Sequence, residues 1–143
     1  MKKIFILSFL LFAMACEDDF KYKDLLPDYP VDVAIDLSLP QYLDLQVAGG
    51  WAYTPSGGGY GIKGIFIYNF NNSIYYAYER ACPHLELSDC AVMEYSNGSL
   101  VCPCDDSRFN FLNGGVSTSG IDYQAREYHV QIVGAGRLRI TNY

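Results

Sequence analysis

Two short stretches concentrate the residue types that could do chemistry. Cys82-Pro83-His84 and Cys102-Pro103-Cys104-Asp105-Asp106-Ser107-Arg108-Phe109 each set soft sulfur and a polar partner around a proline. Sulfur, imidazole and carboxylate on two facing turns are what a metal or cluster site needs. Seventeen residues separate His84 from Cys102. That is room for one β-hairpin, so both tips can lie at the same end of a small sheet. No residues suited to transforming a substrate accompany them, which points to a carrier or binding module.

The elements that must position these turns are strands. Val31, Val33, Ile35 and Leu37 alternate with Asp32, Ala34 and Asp36, predicting a first strand with one buried face. Pro40 to Leu45 reads as a helical turn, and a short strand around Trp51 and Tyr53 lies between glycines. The strongest hairpin spans Ile65 to Phe70 and Ile74 to Tyr78 about Asn71-Asn72-Ser73, with β-branched and aromatic arms. It leads straight into Cys82. A second hairpin, Val92 to Tyr95 and Ser99 to Val101 about Asn97-Gly98, carries the chain from the first turn to the second. Tyr128 to Val133 and Arg137 to Thr141 close the sheet, with His129 on a strand surface. Phe66, Tyr68, Tyr75, Tyr76 and Tyr78 could form a sugar-binding platform, but cross-strand packing is the commoner origin of such a stripe. With no repeat and no long amphipathic helix, the fold class is all-β, a small antiparallel sandwich or barrel.

At 143 residues the chain has the length of one domain. Residues 1–15 read as a signal peptide, because Lys2 and Lys3 precede an apolar run, Ile4 to Phe12, that is too short to span a bilayer. Ala13-Met14-Ala15 directly before Cys16 resembles a lipobox, which makes Cys16 the lipidated first residue of the mature chain. Residues 16–30 read as an acidic, proline-punctuated tether with little order, and 31–143 as the β domain. The formal net charge of −6 becomes more negative when Lys2 and Lys3 are removed, which argues against nucleic acid and anionic headgroups as partners. Acyl chains on Cys16 would instead hold the protein to the membrane of a bacterial envelope. Glu17-Asp18-Asp19 resembles sorting signals toward the outer membrane or cell surface. Cys82, Cys90, Cys102 and Cys104 then stand in an oxidising compartment, where thiols are paired or ligated. Three full pairings are possible, and the sequence does not choose among them.

With these residues in place, the pattern resembles the Rieske [2Fe–2S] domain, whose two loops carry a C-x-H box and a C-x-x-H box on a β scaffold. Cys82-Pro83-His84 matches the first box. Cys102-Pro103-Cys104-Asp105 matches the second except that aspartate stands where the histidine belongs. Ser107, Phe109, Asn110, Gly114 and Gly115 fall where the family's loop continues with serine, an aromatic, aspartate and glycine. The resemblance runs from Val31 to the C-terminus. It implies a Rieske-like fold with both ligand loops at one end, Cys82 and Cys102 on one iron, and His84 with Asp105 on the other. Ser107 would donate a hydrogen bond to a bridging sulfide. Neutral imidazole ligands raise Rieske potentials, so a carboxylate at Asp105, with Asp106 where the family has glycine, implies a lower one. Phe109 lacks the hydroxyl of high-potential members, and the missing imidazole is a group that docks quinol in quinol-oxidising relatives. The implied role is therefore low-potential electron transfer to a redox partner protein. Cys90 and Cys104 resemble the extra disulfide of respiratory members, although Cys90 lies three residues beyond the family's position, which Leu87 occupies.

Two other readings stand beside this one. In the first no cofactor is bound, because a chain threaded unfolded behind a signal with no arginine pair arrives without iron. Cys82, Cys90, Cys102 and Cys104 then form disulfides, and the fold serves binding or envelope structure. In the second a single metal ion such as zinc sits among Cys82, His84, Cys102 and Cys104 or Asp105.

Overall fold

The computed structural model describes residues 23–142. The signal peptide 1–15, the lipidation site Cys16 and the tether as far as residue 22 lie outside the described residues. Among those described, β1 (Asp32–Asp36), β2 (Trp51–Tyr53), β3 (Ile65–Asn69), β4 (Tyr75–Glu79), β9 (Glu127–Ile132) and β10 (Arg137–Thr141) form a six-stranded antiparallel sheet in the order β1-β10-β9-β4-β3-β2. A second sheet holds β5 (Glu94–Ser96), β6 (Ser99–Val101), β7 (Arg108–Asn110) and β8 (Val116–Ser117) in chain order. The alternation in β1 is realised as expected, with Val31, Ile35 and Leu37 buried and Asp32 exposed. Its register on β10 runs from Asp32 opposite Thr141 to Asp36 opposite Arg137.

The period of two in β3 and β4 divides the interior into two cores. Ile65, Ile67 and Ala77 face one cluster with Val31, Ile35, Leu45, Leu138 and Ile140. Phe66 and Tyr78 face the other, between the sheets, with Met93, Leu100, Phe109, Phe111 and the two cysteines Cys82 and Cys102. Phe66 lies 5.1 Å from Phe111 and 5.6 Å from Tyr95, ring to ring, so this aromatic stripe is used for packing. In the hairpin between the two cysteine turns, Asn97 (φ 48°) and Gly98 (φ 80°) both adopt the left-handed conformation that a two-residue turn of the mirror type demands. That hairpin begins at Glu94 and not at Val92, because Met93 N–H already donates to Arg80 O at 2.5 Å and Val92 bridges Ala81. These contacts join the two sheets.

One charged side chain in this interior is fully buried. Glu79, at the end of β4, accepts hydrogen bonds from the N–H groups of Ile62 (2.7 Å), Lys63 (2.9 Å) and Ala81 (3.0 Å) and from the Tyr128 hydroxyl (2.7 Å). Burial, reinforced by the Glu79 charge, pushes the Tyr128 hydroxyl far above the usual phenol range. Gly61 closes this loop at φ 72°, where a Cβ would stand 2.3 Å from Glu79 Oε2. Three residues past Glu79 the chain reaches Cys82.

The acidic stretch before β1 was expected to have little order, yet its described part is pinned to the domain. Arg126 donates through Nε and Nη2 to the Asp24 carboxylate, both at 2.7 Å, and through Nη2 and Nη1 to the carbonyls of Leu26 and Pro27, both at 2.8 Å. Burial opposes the Arg126 charge, but Asp24 outweighs it and holds the guanidinium protonated. Leu26 is buried, and Leu25 N–H donates to Pro83 O at 2.8 Å, inside the first cysteine turn. The sequence signal for a free spacer was composition, and composition does not register one well-placed arginine a hundred residues away. Arg126→Leu is expected to cost about 2 kcal/mol in urea unfolding. That is less than the ~3–5 kcal/mol of a fully enclosed pair, because the strap can peel away and hydrate Asp24. Proteolytic cutting within residues 23–30 should accelerate in the same variant.

Candidate metal centre

The first turn grows out of β4. Ala81, Cys82 and Pro83 are buried, and Cys82 N–H donates to Ala91 O at 3.1 Å, which fixes the returning limb. The second turn is closed by its own backbone. Cys102 N–H donates to Ser107 O at 2.8 Å, and Cys102 O accepts from Asp106 N–H at 2.9 Å. Asp106 sits at φ 60°, a left-handed conformation that aspartate tolerates better than most residues and that glycine would take without strain. β6 and β7 pair on either side, so this turn is the tip of a hairpin, an arrangement the sequence reading missed. The omission has a physical origin. β7 and β8 are three and two residues long, and the 3-10 turn Phe111–Asn113 between them masks any alternation.

Two disulfides join the turns. Cys82 and Cys102, both fully buried, are bonded inside, and Cys90 and Cys104, both exposed, are bonded outside. The family-like Cys90–Cys104 pair therefore forms despite the displaced Cys90. With sequence separations of 20 and 14, each closes a loop whose entropy is worth about 3 kcal/mol in the chain-entropy picture.

His84 and Asp105 meet across the gap. His84 Nε2 lies 2.7 Å from Asp105 Oδ2, the same oxygen that accepts from Ser107 Oγ at 2.8 Å, while Oδ1 accepts from Ser107 N–H at 3.1 Å. Burial pushes the Asp105 carboxyl up, but the hydrogen bonds from His84 and Ser107 outweigh it and hold the group below its ordinary range. An ionised carboxylate can only accept, so Nε2 carries the proton and, in the neutral ring, Nδ1 carries the lone pair. Among the described residues His84 Nδ1 is the buried side-chain nitrogen or oxygen that has no hydrogen-bond partner. The ring is packed against Phe109 and Tyr123, at 5.8 and 6.1 Å between centroids.

Donor atoms of His84, Cys102 and Asp105 lie within 4.8 Å of one another, and Cys82 is bonded to Cys102. Buried polar atoms are ordinarily satisfied, so an enclosed, unpaired imidazole nitrogen on a residue grouped with Cys102 and Asp105 is open to a ligand. Its other nitrogen donates to a carboxylate, the usual support of a metal-bound histidine. The resemblance implies open thiolates at Cys82 and Cys102, and the structure instead bonds the two sulfurs to each other, so an iron–sulfur group would be held there with His84 only once that bond is reduced. Asp105 stands at the far nitrogen of the imidazole, where it supports the ring, and it would have to leave that hydrogen bond to reach a centre held at Nδ1. Ser107, expected to serve a sulfide, gives its hydroxyl to Asp105. Glu79 and Tyr123 support the site without having been marked in the sequence; a lone acid ending an aromatic strand was the signal for the first, and nothing singled out the second.

The Rieske [2Fe-2S] domain family matches residues 40–128 of the chain. The chain belongs to that family. No curated protein matches it. Among solved structures it is similar to a chain from the complex of reduced oxygenase and oxidized ferredoxin in carbazole 1,9a-dioxygenase, with TM-score 0.52 and 16% identity over 78% of this chain and 94% of that one. It is also similar to the ferredoxin of carbazole 1,9a-dioxygenase from Nocardioides aromaticivorans IC177, with TM-score 0.49 and 20% identity over 81% of this chain and 100% of that one. A third is the putative NADH-dependent nitrite reductase small subunit from Mycobacterium tuberculosis, at 0.49 and 14% over 81% and 98%. The first of these likenesses establishes the fold, an antiparallel β domain of Rieske type.

Proposed function

We propose that the protein is a lipid-anchored Rieske-type electron carrier of the bacterial envelope, with a low-potential [2Fe–2S] centre held by Cys82, Cys102 and His84, and with Asp105 as its fourth ligand once the carboxylate leaves His84 Nε2. The observation that carries this reading is the buried, unpaired Nδ1 of His84, with Nε2 held by Asp105. When bound, such a centre takes up and gives back one electron. The chain's own residues orient the imidazole, keep the sulfurs out of water and surround the site with negative charge. Asp105 is itself ionised, and Asp106 follows it. Negative charge near the iron favours the oxidised form, so the potential is set low. The lipid anchor and envelope location rest on the sequence from Lys2 to Cys16. One of the similar structures is a complex of an oxygenase with a ferredoxin, which favours a protein redox partner here.

A second reading, a clusterless fold stapled by disulfides with a binding or structural role, is favoured by the Cys82–Cys102 bond. The two readings exclude each other in one molecule, since a sulfur bonded to sulfur is not a thiolate ligand. The experiment that separates them is the iron and acid-labile sulfide content of the protein purified anaerobically from its native host. Asp105→His is expected to raise the potential of the centre on the order of 100 mV, toward the range of imidazole-ligated centres. A redox titration followed by electron paramagnetic resonance measures it, and an unchanged potential would remove Asp105 from the centre.

A further inference from the structure

The route by which the chain enters the domain fixes which end is near the anchor. β4 runs from Tyr75 toward Cys82, and β9 lies antiparallel to it, with Glu127 opposite Tyr78. The start of β9 is therefore at the metal-site end, and the turn through Ala135 after it is at the opposite end. β10 returns from that turn, and β1 pairs with it so that Asp32 is opposite Thr141 and Asp36 opposite Arg137. The chain thus enters β1 at the site end.

The strap strengthens this placement. Leu25 bonds the backbone of Pro83, and Gln124 N–H donates to Lys23 O at 3.2 Å. Lys23 also pairs with Asp122 and lies over the Tyr123 ring, 5.3 Å from its centroid, and that ring packs on His84. Where the described chain begins, at residue 23, it is one side chain away from the candidate ligand.

Six residues lie between Cys16 and Lys23, and the seven steps from one to the other reach at most about 25 Å. A domain of this size is about 35 Å across. With the strap clamped by Arg126, a lipid on Cys16 leaves too little chain to carry the site end to the membrane-distal pole. If the strap were released, residues 23–30 would add up to about 28 Å, enough to let the domain turn over. Glu86, Asp89, Asp106 and Asp122 are exposed on the loops of the site end, and such a face does not settle into anionic lipid.

We infer that the strap, clamped by Arg126 and Asp24, holds the His84 end of the domain toward the membrane, so that this end serves a protein partner bound to that same membrane. The inference rests on the lipid-anchor reading of Cys16. It is tested on the full lipidated chain in phosphatidylethanolamine–phosphatidylglycerol vesicles, with a fluorescent amino acid at Glu86 or at Ala135 and a quencher on the lipid headgroups. Quenching at Glu86 is expected to exceed that at Ala135 at least twofold. The ratio should fall toward one when Asp24→Asn and Arg126→Gln are combined. Equal or stronger quenching at Ala135 in the unaltered chain overturns the inference, and so does a ratio that the released strap leaves unchanged. A chain that does not sediment with vesicles, and behaves like Cys16→Ala, overturns it through the anchor and not through the strap.

Discussion

Glu79→Ala is expected to destabilise the fold by about 4 kcal/mol, a large share of the stability of a domain. The carboxylate is the common acceptor for three backbone N–H groups and the Tyr128 hydroxyl, the bonds from Ala81 and Tyr128 buried and those from Ile62 and Lys63 half-buried. Each donor left buried without an acceptor costs about 1–3 kcal/mol, and water entering the gap recovers part of that. A net loss on the order of 4 kcal/mol stands against a whole stability of roughly 5–15 kcal/mol for many domains. Glu79→Gln should be milder, because one oxygen remains to accept while the new NH2 group faces donors. Urea unfolding midpoints of the two variants measure this. A Glu79→Ala protein with the parental midpoint would show that these hydrogen bonds contribute nothing net.

The second large effect is at the centre itself. His84→Ala is expected to lower bound iron and sulfide at least tenfold, since loss of even a supporting residue around a metal typically costs 10–100-fold in affinity. The fold should survive. The pair with Asp105 stands at a partly exposed site, with side chains 9% and 38% accessible, and contributes about 1 kcal/mol. Iron content by inductively coupled plasma spectrometry and a thermal unfolding curve separate the two outcomes. Undiminished iron in this variant would take His84 out of the ligand set.

Much of this architecture was legible in the residues. The alternation in Val31 to Leu37, the β-branched and aromatic arms about Asn71-Asn72-Ser73, and Asn97-Gly98 specify strands and turns through local chemistry, and the structure has them within two residues. The second sheet was only half visible, because β7 and β8 are too short to show a period; β7 lies on β6 with Phe109 opposite Leu100, and β8 on β7 with Ser117 opposite Phe109. At the site the two turns do meet, but as a Cys82–Cys102 bond and a His84–Asp105 pair, not as four open ligands. What spacing could not show was which imidazole nitrogen meets the carboxylate. That depends on the hydrogen bonds from Ser107, which turn Asp105 toward Nε2 and leave Nδ1 enclosed and unpaired. The strap lay equally out of reach, since Asp24 and Arg126 are partners only once the sheet is closed.

The most direct measurement is the iron and acid-labile sulfide content per chain after anaerobic purification from the native host, with the reduced protein examined by electron paramagnetic resonance. Expected are about two iron and two sulfide per chain, and a Rieske-type signal on reduction. A protein with neither, and with no free thiol among Cys82, Cys90, Cys102 and Cys104, would contradict the electron-carrier reading and leave a disulfide-stapled fold in its place.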